Sequence, residues 1–457
     1  MDYKNLNRIF FLGIGGIGMS AIARYFKHKE VNVEGYDKTY SRVTNDLEEE
    51  GIKIIYDENP ELITEQFDLV VWTPAISTES RLYKYFAEQN IPIKKRSEVL
   101  GNITRHTECI AVAGTHGKTT VSTMIAHILT NSGKHCSAFL GGISRNYNTN
   151  FLYHENTNTS VVEADEFDRS FLQLSPYVSV ITSTDADHLD IYSNQEDIQN
   201  TFSEFAKRTN PGGAIFYKKG IDLTVPSNVK SFTYSIEESA DYFSTNIYSD
   251  NGNSVFNFNY DKTRIESLKL VFPGKHNVEN ATAAIAVSLY MGIEENAVRT
   301  AIEGFLGIER RFQFQLRQEN IIYIDDYAHH PEEIRSALLS VKQLFPGKQL
   351  TVIFQPHLYS RTQDFAPEFA QSLSLANAVF LLPIYPAREK PIEGVSSQLI
   401  LDQIDIKNKK LVKKEELLRP DFFKSQHLQI VMTLGAGDIG EMVPSLTQNI
   451  GELYPNG

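Results

Sequence analysis

Apolar residues in this chain fall into short runs that alternate with stretches of helical spacing. RIFFLG (8–13) is an apolar run closing on glycine and predicts a strand, and MSAIARYFKH (19–28) then carries apolar residues at helical spacing. VNVEGYD (31–37), DLVVWTPAI (68–76) and IPIKKR (91–96) read as further strands, with a helix-like stretch over 79–89. ECIAVA (108–113) begins a new strand, followed by a glycine loop and a helix to about 131; VVEADE (161–166) and VSVITST (178–184) continue the alternation. Residues 214–272 read differently. AIFYK, VKSFTY and SVFNFNY are short runs with turn residues between them, and predict an antiparallel insertion. Helical periodicity returns in GKHNVENATAAIAVSLYMGI (274–293). From about 320, IIYIDDYA, a helix to about 345, QLTVIFQPH, a second helix, AVFLLPIY and IVMTLGAG form a third alternating block.

Strand–helix alternation marks mostly parallel sheets, so the fold class is α/β. The 457 residues suit two to four domains, and the pattern breaks near 105 and 315. Three domains are therefore expected, over 1–105, 106–314 and 315–457, the third a doubly wound sheet. No internal repeat or low-complexity tract interrupts them.

Composition narrows the function classes. With 41% hydrophobic and 22% charged residues the chain is an ordinary globular one. A formal charge of −13 argues against non-specific nucleic-acid binding, which needs concentrated Lys and Arg. Cys109 and Cys136 are too few for a disulfide framework and are expected to be buried, reduced thiols. The N-terminal stretch lacks a signal-peptide pattern, and no run approaches the ~18 apolar residues of a membrane span. A cytoplasmic protein without membrane partners is expected, as a monomer or weak homodimer.

Two glycine loops carry the candidate chemistry. In GIGGIGMS (13–20), Gly13, Gly15 and Gly18 fit G-x-G-x-x-G after a strand and before a helix. Such a loop allows close approach of backbone to a diphosphate, which then meets the N–H groups of the helix N-terminus. Asp37 ends the next strand, where a carboxylate suits a ribose hydroxyl; the plainer alternatives are a packing turn and a turn aspartate. An NAD-dependent oxidoreductase would need this loop alone. The second loop, AGTHGKTT (113–120), also joins a strand to a helix. Lys118 suits the β- and γ-phosphates of ATP, Thr119 suits Mg²⁺, and Val112 replaces the first glycine of the longer pattern. The two loops together suggest an ATP-driven enzyme whose other substrate is nucleotide-linked.

Further polar residues gather at predicted strand and helix ends. Glu163 and His188 follow strands that suit a metal site beside ATP, with Asp185, Asp187 and Asp190 crowding the histidine. His276, Asn277 and Asn280 open a helix, where asparagines could read adenine or Asn277 could simply cap. Arg310 and Arg311 lie near a domain border, suited either to a transferring phosphate or to an interdomain salt bridge. Asp325 and Asp326 end a strand, with His329 and His330 close behind.

Taken together, GTHGKTT, EADE, DH (187–188), HNVEN, ERRF, DDYAHHP and FQPH (354–357) resemble the Mur ligases, in that family's order and over essentially the whole chain. The resemblance implies a UDP-sugar-binding Rossmann-like domain (1–105), a central P-loop-type ATPase domain (106–314) and a C-terminal Rossmann-like domain that helps bind the amino acid (315–457). It implies ATP and Mg²⁺, with Mn²⁺ as a substitute. Gly114, Thr115, His116, Gly117, Lys118, Thr119, Thr120, Asn277, Asn280, Arg311 and Asp326 would bind ATP. Lys118, Glu163, His188 and Arg311 would be catalytic, and Thr119, Glu163 and His188 would hold metal. Gly13, Gly15, Gly16, Ile17, Gly18, Met19 and Asp37 would bind the UDP-sugar, and His330, His357, Tyr359 and Arg361 the amino acid. GIGGIGMS, DHLDIY, FQPHLYSRT and YPAREKP are most similar to the branch that joins L-alanine to UDP-N-acetylmuramate; a branch that recycles a ready-made tripeptide is the near alternative. No lysine after DHLDIY matches the carboxylated lysine of some members. YPARE (385–389) and GAGD (435–438) depart from the patterns YAAGE and GAGN or GAGS, which puts amino-acid selectivity in question.

Overall fold

Residues 9–12, the apolar centre of RIFFLG, are fully buried because the strand is covered on both faces, as parallel sheets require. The structure, a computed structural model, describes residues 3–185, 192, 195–250, 252–387, 389–424 and 426–454. It forms two compact units. One holds the chain to Val271 together with Lys275–Gly307, and the other holds Phe272–Gly274 and the chain from Ile308 onward.

The first unit contains two sheets. Strands β1 (Arg8–Leu12), β2 (Asn32–Tyr36), β3 (Lys53–Ile55), β4 (Leu69–Trp72) and β5 (Ile93–Lys95) form a parallel sheet in the order β3-β2-β1-β4-β5. Ile9 is in register with Val33 on one side and Leu69 on the other. Helices α1 (Ile17–His28), α2 (Arg42–Glu49), α3 (Arg81–Glu88) and α4 (Arg96–Thr104) connect and cover it. Here β4 and β5 are shorter than their apolar runs, and Arg96, read as strand, begins α4. The sequence pattern also passed over α2 and β3.

The second sheet has ten strands in the order β15-β14-β13-β12-β11-β10-β6-β9-β7-β8. They are β6 (Glu108–Ala113), β7 (Ser137–Ser144), β8 (Thr149–Leu152), β9 (Thr159–Glu163), β10 (Val178–Ile181), β11 (Ala214–Lys218), β12 (Lys230–Ile236), β13 (Tyr242–Asp250), β14 (Asn253–Tyr260) and β15 (Thr263–Leu270). Helices α5 (Lys118–Asn131), α6 (Gln195–Ala206), α7 (Lys275–Tyr290) and α8 (Glu295–Gly304) belong to this layer. The expected antiparallel insertion is only partly present. β11, β12 and β13 pair in parallel and extend the main sheet, and within 214–272 only the β13-β14-β15 ladder is antiparallel. No helix lies between β11 and β12, so the alternation that marks a parallel crossover is missing there.

The two sheets share one hydrophobic core. Phe26, Val31 and Leu47 belong to the same buried cluster as Phe139, Phe151 and Val162. Asn150 on β8 is buried and donates to the Ile17 carbonyl of α1 at 2.6 Å, so the helix of the first glycine loop is fastened to the second sheet.

The second unit is a six-stranded sheet of order β16-β17-β21-β18-β19-β20. It comprises β16 (Gln313–Arg317), β17 (Ile322–Asp326), β18 (Leu350–Phe354), β19 (Ala378–Leu381), β20 (Asn408–Leu411) and β21 (Ile430–Leu434), with only β16 antiparallel to its neighbour. Helices α9 (Pro331–Leu344), α10 (Tyr359–Leu373), α11 (Gln398–Gln403), α12 (Lys414–Leu417) and α13 (Ile439–Leu453) accompany it. Two separate apolar clusters, one around Ile324 and Phe354 and one around Tyr323 and Ile353, cover its two faces, as the doubly wound reading expects. Cys109 and Cys136 are free and buried. Among the described residues no helix is long and apolar enough to cross a membrane.

Candidate active site

The first glycine loop leaves β1 through Gly13 at φ +85°, a conformation that favours glycine. The Gly13 and Ile14 N–H groups donate to Tyr36 O at 2.8 and 3.0 Å, and α1 opens at Ile17 behind Gly16 with no side-chain cap. The Ile17 and Gly18 N–H groups at its start thus keep their capacity for an anion, while Met19 N already donates to Gly16 O at 3.0 Å. Asp37 lies where expected, but its carboxylate braces the loop, accepting from Gly15 N at 2.8 Å and Thr39 N at 3.1 Å. Met19 is buried under the loop. A Cβ on Gly18 would sit 2.8 Å from Nη1 of Arg96, so this guanidinium lies against the first turn of α1. The sequence pattern places Arg96 at the end of a strand, which hides its position beside the loop.

The second loop spans the end of β6 and the start of α5. Gly114 has φ +134°, and a Cβ there would fall 2.1 Å from Thr182 Oγ1. Thr182 and Ser183, just past β10, strap the loop: Ser183 Oγ lies 2.9 Å from Thr115 Oγ1 and accepts from His116 N at 2.8 Å. Gly117, at φ +83°, packs against Asn280 of α7, whose Oδ1 would lie 2.6 Å from an added Cβ. Asn277 is buried at the third position of α7; it lies within the helix and does not cap it. Thr119 is buried at the second position of α5, and Thr120 is half-buried.

Lys118 Nζ donates to Gly114 O at 2.7 Å and to Glu166 Oε1 at 2.8 Å. Burial works against its charge, but Glu166, Glu163 and Asp165 outweigh burial and hold the ammonium above the ordinary lysine range. Burial likewise pushes the Glu166 carboxyl up against the pull of Lys118. The 2.8 Å contact between two enclosed groups favours the ionised pair. Glu163 ends β9 in register with Val112. Its Oε2 is buried without a hydrogen-bond partner among the described residues, and a Cβ on Gly141 would come within 2.0 Å of it. A buried, unpartnered carboxylate oxygen facing a glycine strand suits a hard cation. His188, with Asp187 and Asp190, lies outside the described residues, and among those described no three His, Cys, Asp or Glu side chains converge as a metal cage.

In the second unit the polar residues collect at the ends of β17 and β18. Asp326 accepts from Phe312 N at 2.6 Å and Ala328 N at 2.7 Å, and burial raises its carboxyl to about 6. Arg310 pairs with Asp325 at 3.0 Å; Arg311 lies 3.9 Å from Glu333 and over the Tyr327 ring. Among the described residues these ion-pair partners lie in the same unit as the arginines. His330 packs edge-on against Phe365, while His329 faces His357 at 5.8 Å and feels the charge of Arg361. Burial is the main cause that lowers His329 to about 4. His357 stacks on Tyr385, and Tyr359 and Arg361 begin α10. Glu389 of YPARE accepts from Ser360 N at 3.0 Å and from Ser360 Oγ, which fixes the start of α10.

Three family models match in succession: the "Mur ligase family, catalytic domain" over 8–108, the "Mur ligase middle domain" over 112–288 and the "Mur ligase, glutamate ligase domain" over 310–437. The chain belongs to the Mur ligase family. This Mur ligase is 46% identical to the UDP-N-acetylmuramate–L-alanine ligase of Parabacteroides distasonis, over 97% of each chain. It is also 46% identical to that of Flavobacterium johnsoniae, over 99% of this chain and 100% of the other. Among solved structures it is similar to the UDP-N-acetylmuramate-alanine ligase of Thermotoga maritima, with TM-score 0.83, 29% identity and coverage of 98% and 100%. A murein peptide ligase from Psychrobacter arcticus shares the fold at TM-score 0.71 and 22% identity, over 97% and 99%. An oxidoreductase built on the first loop has no counterpart in these likenesses.

Proposed function

We propose that the protein joins L-alanine to UDP-N-acetylmuramate with cleavage of ATP to ADP and phosphate, the first amino-acid addition to a peptidoglycan precursor. The observation that carries this reading is a charged P-loop lysine facing acidic side chains in the same unit as a separate diphosphate-type loop. A dehydrogenase would use only one of these loops. The near-full-length identity to ligases of that name supports the same choice. The three-domain division at 105 and 314 belongs to this proposal, the first domain holding the UDP-sugar, the second ATP and the third the amino acid.

In the reaction the lactoyl carboxylate attacks the γ-phosphate, and the α-amine of alanine then displaces phosphate from the acyl phosphate. Lys118 offsets charge on the transferring group, and the Gly114–Thr120 loop and α5 N-terminus hold the phosphates. Asn277 and Asn280 line the nucleotide side; Arg311 and Asp326 complete the ATP set; Gly13–Met19 and Arg96 hold the sugar diphosphate. His330, His357, Tyr359 and Arg361 serve the amino acid, with His329 added to them by its place beside His357. Mg²⁺, or Mn²⁺ in its place, would be held by Thr119, Glu163 and His188 and would neutralise phosphoryl oxygens. The substrates are cytoplasmic metabolites, which supports a cytoplasmic enzyme, monomeric or weakly dimeric.

Phosphate release from ATP with UDP-N-acetylmuramate tests the reading. Dependence on free L-alanine is expected. Dependence on L-alanyl-γ-D-glutamyl-diaminopimelate instead would make the protein a recycling ligase, and release with neither amine would refute the ligase assignment.

A further inference from the structure

Three acidic residues, each paired with a basic side chain, lie on one short turn after β9. Glu163 ends β9; Asp165 pairs with Arg96 at 3.4 Å; Glu166 pairs with Lys118 at 2.8 Å; Asp168 pairs with Lys95 at 3.2 Å. Arg96 is the cation against the first loop, and Lys118 is the cation of the second. Adjacent residues of one turn therefore hold the anion-binding cations of two sites.

The turn is also strained. Asp168 and Arg169 both have left-handed backbone conformations, at φ 54° and 52°, where non-glycine residues are disfavoured. Side-chain struts hold it there: Arg169 to Asp197 at 2.8 Å, and Tyr192 Oη donating to Glu166 O at 2.6 Å. Substrate phosphates in either loop compete with Asp165 or Glu166 for its cation. Once one cation turns to phosphate, the turn loses one of its anchors and relaxes at lower cost. The second cation is then released more easily.

We propose that Asp165 and Glu166 are positioning residues that couple the two substrate sites, so that a nucleotide-sugar in the first loop tightens binding of ATP in the second, and the reverse. The inference rests on the functional reading above. Charge alone would act in the opposite sense, since losing one cation leaves the other facing more negative charge. Positive coupling is thus a specific signature of a turn that moves as a unit.

The test is a pair of titrations on the full chain. Affinity for AMP-PNP with Mg²⁺ is measured with and without saturating UDP-N-acetylmuramate, and then in the reverse order. In the wild type each ligand tightens the other on the order of tenfold, equally in both directions. Asp165→Asn and Glu166→Gln bring this ratio close to one while AMP-PNP still binds. A variant that only loosens the fold would weaken both affinities and leave the ratio. Should Glu166→Gln fail to fold, Asp165→Asn decides alone, since that side chain is partly exposed. A wild-type ratio of one, a ratio below one, or an unchanged ratio in Asp165→Asn overturns the coupling. If neither ligand binds the wild type, the functional reading falls and takes the coupling with it.

Discussion

At the scale of single residues, the site depends on positions where no other side chain fits. Gly114→Ala would place a methyl group 2.1 Å from Thr182 Oγ1 at a φ reserved for glycine. It is expected to cost roughly 2–4 kcal/mol and to abolish tight ATP binding, measurable by urea unfolding and calorimetric titration. Two titrating groups of the second unit should oppose one another. Asp326 keeps its proton to about pH 6 when folded but loses it near 4 when unfolded. Its contribution to stability is therefore full below pH 4 and is lost as pH rises to 6, up to about 3 kcal/mol. His329, lowered to about 4, contributes stability above pH 6.5 that is lost as pH falls toward 4. About a fifth of its side chain, 22%, is open to solvent, so roughly 1–3 kcal/mol is expected. Urea midpoints of this unit should vary little with pH from 4 to 6.5 in the wild type. They should fall with rising pH in His329→Gln and rise in Asp326→Asn; parallel profiles in all three would refute the assignment.

At the scale of elements, what could be read from the chain follows from local physics. Both glycine loops, β6, α5 and α7 were legible because an apolar run, a glycine turn and helical spacing each leave a local mark. Arg96, Glu166, Thr182 and Ser183 were less so. Their roles arise from neighbours far away in the chain, 48 residues in the contact of Glu166 with Lys118 and 67 in that of Ser183 with His116. Arg96 could have been found as a basic residue just past a strand end beside a glycine loop, had the strand been ended at Lys95. The extension of the sheet through β11 and β12 was hidden because no helix separates them. Since α4 begins at Arg96 and presents it to α1, Arg96→Ala is expected to raise the KM for UDP-N-acetylmuramate about tenfold or more. ATP affinity measured without the sugar should tighten toward its sugar-bound value, because the turn that holds Lys118 has lost its Arg96 anchor. Steady-state kinetics with each substrate varied would expose the reverse pattern if Arg96 served only packing.

At the scale of the whole molecule, three sheets are distributed over two compact units. Scanning calorimetry is expected to resolve two unfolding transitions, with the first two sheets melting together; a third transition would show that their common core does not unite them. The proposed reaction needs its substrates aligned, so small-angle scattering is expected to change through closure when AMP-PNP and UDP-N-acetylmuramate are both present. Unaltered profiles would count against closure. The bond from Asn150 to the first turn of α1 has a consequence for ancestry and engineering alike. A chimera joined near residue 307 exchanges a piece with its own apolar clusters, apart from Phe272–Gly274, which stays with the first parent. A chimera joined near residue 105 cuts through side chains that fit each other, and both halves must then be inherited from the same parent or refitted together.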